Sequence, residues 1–249
     1  MKEKCIVISG SSSGIGAALA RRLAGKVGSM VLHARSARES LDSVAADVEK
    51  AGTRTAAILC DLADGGSAEK IIELAADKFG RIDGLVANAG FPLMKSFSEG
   101  EASDIEYAFR ANLFSFFEFA KCAHPYLKQA QSGRLIALGS FTAHVFRTDL
   151  RSFPMSAASK GGLETAVRSV ALAMCKDGIT VNCVVPGFIW KEKGTRDGLS
   201  EEELIEVSSR IPLGRPGYPD EVAAVIEFFL SEESNYVTGQ CLHVNGGLT

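Results

Sequence analysis

Ser9-Gly-Ser-Ser-Ser-Gly-Ile-Gly16 sets three glycines in a serine-rich turn between an apolar run and an amphipathic one. Gly10 permits a tight turn, and Gly14 and Gly16 let the backbone come close to a bulky anion. The N–H groups that open the following helix add partial positive charge. Gly10, Ser12, Ser13, Gly14, Ile15 and Gly16 are therefore candidate ligands of a pyrophosphate. A lone glycine motif carries little, but one set between a strand and a helix carries much more. The next apolar run ends in His33-Ala-Arg-Ser36, with Arg38 beyond. An acidic residue there would hydrogen-bond the ribose 2′-hydroxyl of NAD. None is present, and Arg35 can instead pair with a 2′-phosphate, a task that suits a guanidinium. These residues predict NADP(H) rather than NAD(H), with Arg35 and Ser36 at the adenosine end. The competing reading of Arg35 is a solvated arginine at a helix start.

The elements that must position this turn follow from hydrophobic periodicity. Short apolar runs predict strands at Cys5–Ser9, Met30–Ala34, Thr55–Cys60, Gly84–Asn88, Arg134–Gly139, Ile179–Val185 and Cys241–Val244. Helical spacing, such as Ile15, Leu19, Leu23 and Val27, predicts helices from Gly14 and over Ala37–Ala51, Ser67–Phe79, Glu106–Gln131, Ser156–Lys176 and Glu201–Ser209. Strand–helix alternation with nearly continuous apolar strands implies an α/β fold. Its form is a doubly wound, Rossmann-type parallel sheet of seven strands with helices on both faces. Ligands on such a sheet lie at the carboxyl ends of the strands. No Pro-, Gly- or Ser-rich stretch divides the 249 residues, so one domain over 1–249 is expected. Trp190–Arg215 breaks the rhythm with polar sequence, Gly194 and Gly198, and follows a strand end. It reads as a substrate flap around 190–215.

Bulk properties narrow the function classes. Basic and acidic residues number 27 and 30, a net charge of −3, without a basic cluster of the kind nucleic acid requires. The start of the chain lacks an apolar signal segment, and no run of about 18 apolar residues suggests a membrane span. A cytoplasmic protein is expected. The six cysteines form no CxxC pair and sit mostly in apolar runs, which predicts buried reduced thiols and no metal site.

The glycine spacing is G-x-x-x-G-x-G, and further segments accompany it: Ala87-Asn-Ala-Gly90, Val185-Pro-Gly-Phe-Ile189 and Tyr236-Val-Thr-Gly-Gln-Cys-Leu-His-Val-Asn-Gly-Gly247. Over nearly its whole length the chain resembles the short-chain dehydrogenase/reductase family, and its end is similar to that of bacterial 3-oxoacyl-acyl-carrier-protein reductases. The resemblance implies that Asn88, Ala89 and Gly90 border the dinucleotide and that Asp61, followed by Leu62, contacts adenine. It places Pro186, Gly187 and Ile189 beside the nicotinamide. Asn112, Ser140 and Lys160 match three members of the family's catalytic tetrad, with Asn112 kinking its helix and holding a relay water.

The fourth member is missing. The position four before Lys160, where such proteins carry Tyr, holds Ser156, and the Ser140–Ser156 spacing is longer than usual. No Tyr lies between Tyr126 and Tyr218. A Tyr of pKa about 10, lowered by a neighbouring ammonium, can donate a proton near neutral pH, whereas a Ser hydroxyl is far less acidic. Losing a general acid costs on the order of 10²–10⁴ in rate. Three readings follow. The protein reduces a keto group of a small or acyl-thioester substrate, with Ser140, Ser156 or a water held by Lys160 relaying the proton. Alternatively it reduces a conjugated C=C, where the thioester oxygen needs only hydrogen bonds. The 2,4-dienoyl-CoA reductases also place Ser four before Lys, and Phe153 occupies the place of the enoyl-carrier reductases' Tyr, seven before Lys. Or it is a non-catalytic NADP(H)-binding subunit beside an active homologue. His144, four after Ser140, is a further proton donor near pH 7 or else a loop histidine facing solvent or a neighbour.

Two features concern partners. Carrier-protein reductases dock the acidic carrier through arginines, and the matching positions here are Gln131 and Leu172, leaving Arg134, Arg147, Arg151 and Arg168 as substitutes. Leu113-Phe-Ser-Phe-Phe-Glu-Phe-Ala120 is apolar on more than one side, which suggests a helix-to-helix contact between subunits of a dimer or, as the family implies, a tetramer.

Overall fold

The computed structural model describes residues 1–90, 92–150, 152–190 and 201–248. Seven parallel strands form one sheet: β1 (Cys5–Ile8), β2 (Ser29–Ala34), β3 (Arg54–Leu59), β4 (Gly84–Ala87), β5 (Arg134–Leu138), β6 (Thr180–Pro186) and β7 (Cys241–Val244). Their order is β3-β2-β1-β4-β5-β6-β7, so the winding reverses between β1 and β4. β1, β2 and β5 are buried along their whole length, as apolar strands covered on both faces must be.

Two hydrophobic clusters cover the two faces. One joins the sheet to α3 (Ser67–Phe79), α5 (Ser115–Gln129) and α6 (Pro154–Met174) through Ile71, Phe116, Phe119, Leu163 and Val167. The other joins it to α1 (Gly14–Leu23), α2 (Arg38–Lys50) and α8 (Pro219–Leu230) through Leu19, Leu23, Val44, Ile226 and Phe229. The seven expected strands all form, each within a residue or two of its expected limits. The sequence reading contains no counterpart of α8. Its signals are nonetheless ordinary ones: Pro219 at the first turn, Asp220 and Glu221 behind it, and a capping box between Tyr218 and Glu221.

The single helix expected over Glu106–Gln131 is instead α4 (Ala102–Phe109), a π-helical turn over Arg110–Phe114, and α5. The widened turn is centred on Asn112, where the resemblance implies a kink. Of the thiols expected to be buried, only Cys5 and Cys183 are so; Cys60, Cys122 and Cys241 are half-buried and Cys175 is exposed. Among the described residues no helix is long and apolar enough to cross a membrane.

Within the expected flap, residues 191–200, including Gly194 and Gly198, lie outside the described residues. α7 (Glu201–Ser209) forms where the sequence places it. The Trp190 N–H donates to Gly217 O at 2.8 Å, and the Leu213 N–H to Gly246 O at 3.1 Å.

Candidate active site

The reversal between β1 and β4 opens a crevice at the carboxyl ends of the strands, and the glycine turn leads directly out of β1 into it. Gly10 and Gly14 both take positive φ, 65° and 54°. At Gly16 the limit is space: a Cβ there would lie 2.2 Å from Gly10 O and 2.6 Å from Asn88 Nδ2. A Cβ on Gly14 would meet nothing within 4 Å, so the surface beside it is open. Ser13, at the N-cap of α1, makes no side-chain capping bond, which leaves the first-turn N–H groups available to an anion.

Neighbouring strands brace this turn from both sides. Asn88, after β4, donates its Nδ2 protons to Ser9 O and Gly10 O, each at 2.9 Å. Ser9 Oγ accepts from the N–H groups of Asn88 and Ala89 at 3.0 Å. On the β2 side, Gly10 N–H donates to His33 Nδ1 at 3.1 Å, and the Ser11 hydroxyl accepts from His33 N–H at 2.9 Å. Asn88 thus shapes the turn through its side chain. His33 does the same from within the core, and it was not among the residues expected at the site. Nothing in its sequence pattern marks it, because its partners meet it only through the register of β1 and β2.

The adenosine end is built at the ends of β2 and β3. Arg35 and Ser36 are exposed, Asp61 is half-buried and Leu62 is buried. Arg35 Nη1 donates to the Tyr107 hydroxyl at 2.9 Å, and that hydroxyl donates to Asp61 Oδ2 at 2.8 Å. Tyr107 comes from α4 and was also missed from sequence, since its spacing relates it to no motif.

The reactive end lies beyond β4 and β5. Lys160, on α6, is 7% exposed, and its Nζ donates to Leu138 O at 2.7 Å. Burial holds its pKa down to about 8. Asn112 Nδ2 donates to Ser159 Oγ at 3.0 Å, while its buried Oδ1 has no hydrogen-bond partner among the described residues. A Cβ on Gly90 would stand 2.9 Å from both Asn112 Oδ1 and Lys160 Nζ, so these two groups converge on one bare stretch of backbone. Ser140 Oγ accepts from the Thr142 hydroxyl at 2.9 Å. Ser156 is buried, and its Oγ accepts from the Leu93 N–H at 2.7 Å, tying α6 to the loop after β4. Phe188, between Gly187 and Ile189, packs its ring 4.4 Å from that of Phe141. The segment after Ser140 borders an open cleft of about 260 Å³ lined by Phe141, Val145, Phe146, Leu150 and Phe153 among others.

Other candidates take other roles. His144 turns to neighbours: its Nε2 lies 2.7 Å from Glu164 Oε2, and its ring meets that of His243 at 4.5 Å. Arg134 is buried and donates to Ser231 O and Gly133 O, so it is no docking arginine. Arg147 is paired with Asp149, Arg168 is exposed, and Arg151 lies outside the described residues. Among the described residues there is no group of His, Cys, Asp and Glu suited to a metal ion.

The residues fit a nicotinamide dinucleotide. Open backbone with free first-turn N–H groups lies at the switch point, an exposed cation stands at the end of β2, and an orphaned acceptor lies beside Lys160. Comparison with known proteins agrees. Residues 10–249 match a protein family described as enoyl-(acyl carrier protein) reductase. The 3-oxoacyl-acyl-carrier-protein reductase of Salmonella typhimurium is 31% identical over 98% of this chain and 97% of its own length. A short-chain dehydrogenase/reductase from Serratia marcescens superposes with a TM-score of 0.91 at 28% identity, covering 99% of this chain and 98% of its own. The L-sorbose reductase of Gluconobacter frateurii, solved with NADPH and L-sorbose, superposes with a TM-score of 0.90 at 27% identity, covering 100% and 97%.

Proposed function

The chain belongs to the short-chain dehydrogenase/reductase family of oxidoreductases, and from that premise we propose that it is an NADP(H)-dependent reductase of a keto group on a small or acyl-thioester substrate. The observation that carries this reading is the convergence of Lys160 Nζ and Asn112 Oδ1 on Gly90, at the end of the strand beside the glycine turn. The cofactor, when bound, supplies hydride. The N–H groups at the start of α1 hold its pyrophosphate, with Ser12, Ser13 and Ile15 alongside. Arg35 and Ser36 meet a 2′-phosphate, Asp61 and Leu62 border the adenine, and Pro186, Gly187 and Ile189 flank the nicotinamide. The L-sorbose reductase bound to NADPH supports the choice of phosphorylated dinucleotide.

What the chain must itself provide is a proton and an electrophilic grip on the substrate oxygen. Ser140 offers a hydroxyl at the end of β5. Lys160 offers an ammonium with a depressed pKa, close enough to neutrality to pass a proton to the substrate oxygen through a water that the free Asn112 Oδ1 would also hold. Ser156 supplies a hydroxyl of much lower acidity than the family's Tyr, which predicts slow ketone reduction. A conjugated C=C is the second reading, and the same absence favours it: oxygen then needs hydrogen bonds rather than a strong acid.

A carrier-bound substrate is not required. Gln131 and Leu172 are exposed at the implied docking positions and neither is cationic. Phe114, at the end of the π-helical turn, and Phe117, in the first turn of α5, stand half exposed, which supports pairing with a second copy.

The test is direct. NADPH is titrated first, and its oxidation is then followed with small ketones, acetoacetyl-CoA and crotonyl-CoA. Binding with slow turnover of a ketone supports the proposal. Turnover of crotonyl-CoA alone moves the protein to the second reading. Binding with no turnover of any substrate makes it a cofactor-binding subunit.

A further inference from the structure

We propose that Tyr107 is the residue that aims Arg35 at a 2′-phosphate and so sets the preference between phosphorylated and unphosphorylated dinucleotides. The inference rests on the cofactor reading above. Its basis is a three-residue bridge: Arg35 Nη1 to Tyr107 Oη at 2.9 Å, and Tyr107 Oη to Asp61 Oδ2 at 2.8 Å. The three residues come from the end of β2, the end of β3 and α4, and meet only in the fold.

A phenol has one proton and accepts through lone pairs. Asp61 takes the proton, so the oxygen accepts from Arg35, and the direction of both bonds is fixed. Burial raises the Tyr107 pKa, which keeps that proton in place across the neutral range. The other Asp61 oxygen is also engaged, accepting from the Ala63 N–H at 2.9 Å.

This arrangement solves a problem of charge. Arg35 is exposed and a carboxylate stands nearby. If the two paired directly, the cation would be neutralised and turned away from an incoming phosphate. The Tyr107 oxygen stands between them. It occupies one edge of the guanidinium, leaves the remaining N–H donors of the fork for a dianion, and keeps the Asp61 carboxylate one hydroxyl away from the cation. Arginine's long side chain is thereby pre-organised, and less entropy is lost when it grips a phosphate.

Tyr107→Phe removes the hydroxyl and keeps the ring. Dissociation constants for NADPH, NADH, 2′,5′-ADP and 5′-ADP are measured by calorimetry on the intact protein, with thermal unfolding as a check on folding. The expected result is a loss of roughly tenfold in affinity for NADPH and 2′,5′-ADP, with NADH and 5′-ADP changed less than about twofold. Equal losses for all four ligands, or NADPH binding unchanged or tightened, would overturn the inference. A wild type that shows no preference for NADPH sinks the reading of Arg35 and this inference with it. A preference that survives Tyr107→Phe sinks the inference alone.

Discussion

His33 accepts a hydrogen bond from the backbone of Gly10: Gly10 N–H to His33 Nδ1 is 3.1 Å. The other ring nitrogen, Nε2, lies 2.9 Å from Cys60 O, and a carbonyl can only accept. The proton therefore sits on Nε2, and the ring is neutral with one defined tautomer. Its position, 2% exposed between β1 and β3, makes it a spacer that holds the glycine turn to the sheet.

Acid should loosen this contact first. Burial lowers the His33 pKa below its ordinary 6.5. Below pH 6.5 the unfolded chain takes up a proton there that the folded chain resists, so stability is lost as pH falls. His33→Leu leaves Gly10 N–H without an acceptor and should cost about 1–3 kcal/mol at pH 7. Urea unfolding at pH 7 and pH 5 checks both points: the wild type should lose stability between them more steeply than the variant. Parallel pH dependence in the two proteins would show that His33 is not the titrating group.

Lys160 should act in the same direction, but in an alkaline window. Its ordinary pKa is 10.5 and burial brings it to about 8. Between those values the unfolded chain holds a proton that the folded chain has released, so the Lys160 contribution to stability rises with pH across that window. Each pH unit there is worth about 1.4 kcal/mol, which puts the penalty below pH 8 on the order of 3 kcal/mol. Lys160→Met removes it, and the stability difference between variant and wild type should shrink from pH 8 to pH 10.5. Ketone turnover, if Lys160 carries the relayed proton, should fall as pH rises through about 8. An activity profile flat to pH 9 would remove Lys160 from the proton path.

The division between what was legible in the sequence and what was not has a physical cause. Strands and most helices are written in local periodicity, so β7 and the limits of α3 could be read directly. The glycine turn was legible because it is a local motif. His33 and Tyr107 were not, because each matters only through a partner far along the chain, Gly10 for the one and Arg35 and Asp61 for the other. Arg134 misled for the same reason: an arginine opening a strand reads as surface, yet here Ser231 and Asn235 close over it. His144 was open to two readings, and Glu164 and His243 decide for the neighbour-facing one.

Gly90 should be intolerant of even one methyl group. Its φ is not positive, so alanine is allowed by the backbone, and the fold should survive. The added Cβ would sit 2.9 Å from both Lys160 Nζ and Asn112 Oδ1, and the flexible lysine would be the group to give way. That movement would strain the Lys160 bond to Leu138 O, on which the amine's position depends. Gly90→Ala should lower ketone turnover by at least about tenfold, since the cost of misplacing a reacting group is steep. The melting temperature should change little. Unaltered turnover would mean that Lys160 and Asn112 are not used together.

Ser156→Tyr probes the missing acid. Serine here is buried and its Oγ accepts from Leu93 N–H at 2.7 Å, so the substitution removes one bond that ties α6 to the loop after β4. Ser156→Ala removes the same bond without adding a phenol, and should cost about 1 kcal/mol. The alanine variant is therefore the reference against which the tyrosine is judged. If the site lacks only an acid, Ser156→Tyr should reduce ketones at least about tenfold faster than wild type, a part of the roughly 10²–10⁴ that a well-placed general acid contributes. Crotonyl-CoA reduction should gain nothing, because its oxygen needs no strong acid. A tyrosine variant that is folded, binds NADPH as well as Ser156→Ala does, and still shows no faster ketone reduction would sink the claim that acidity at position 156 limits the reaction.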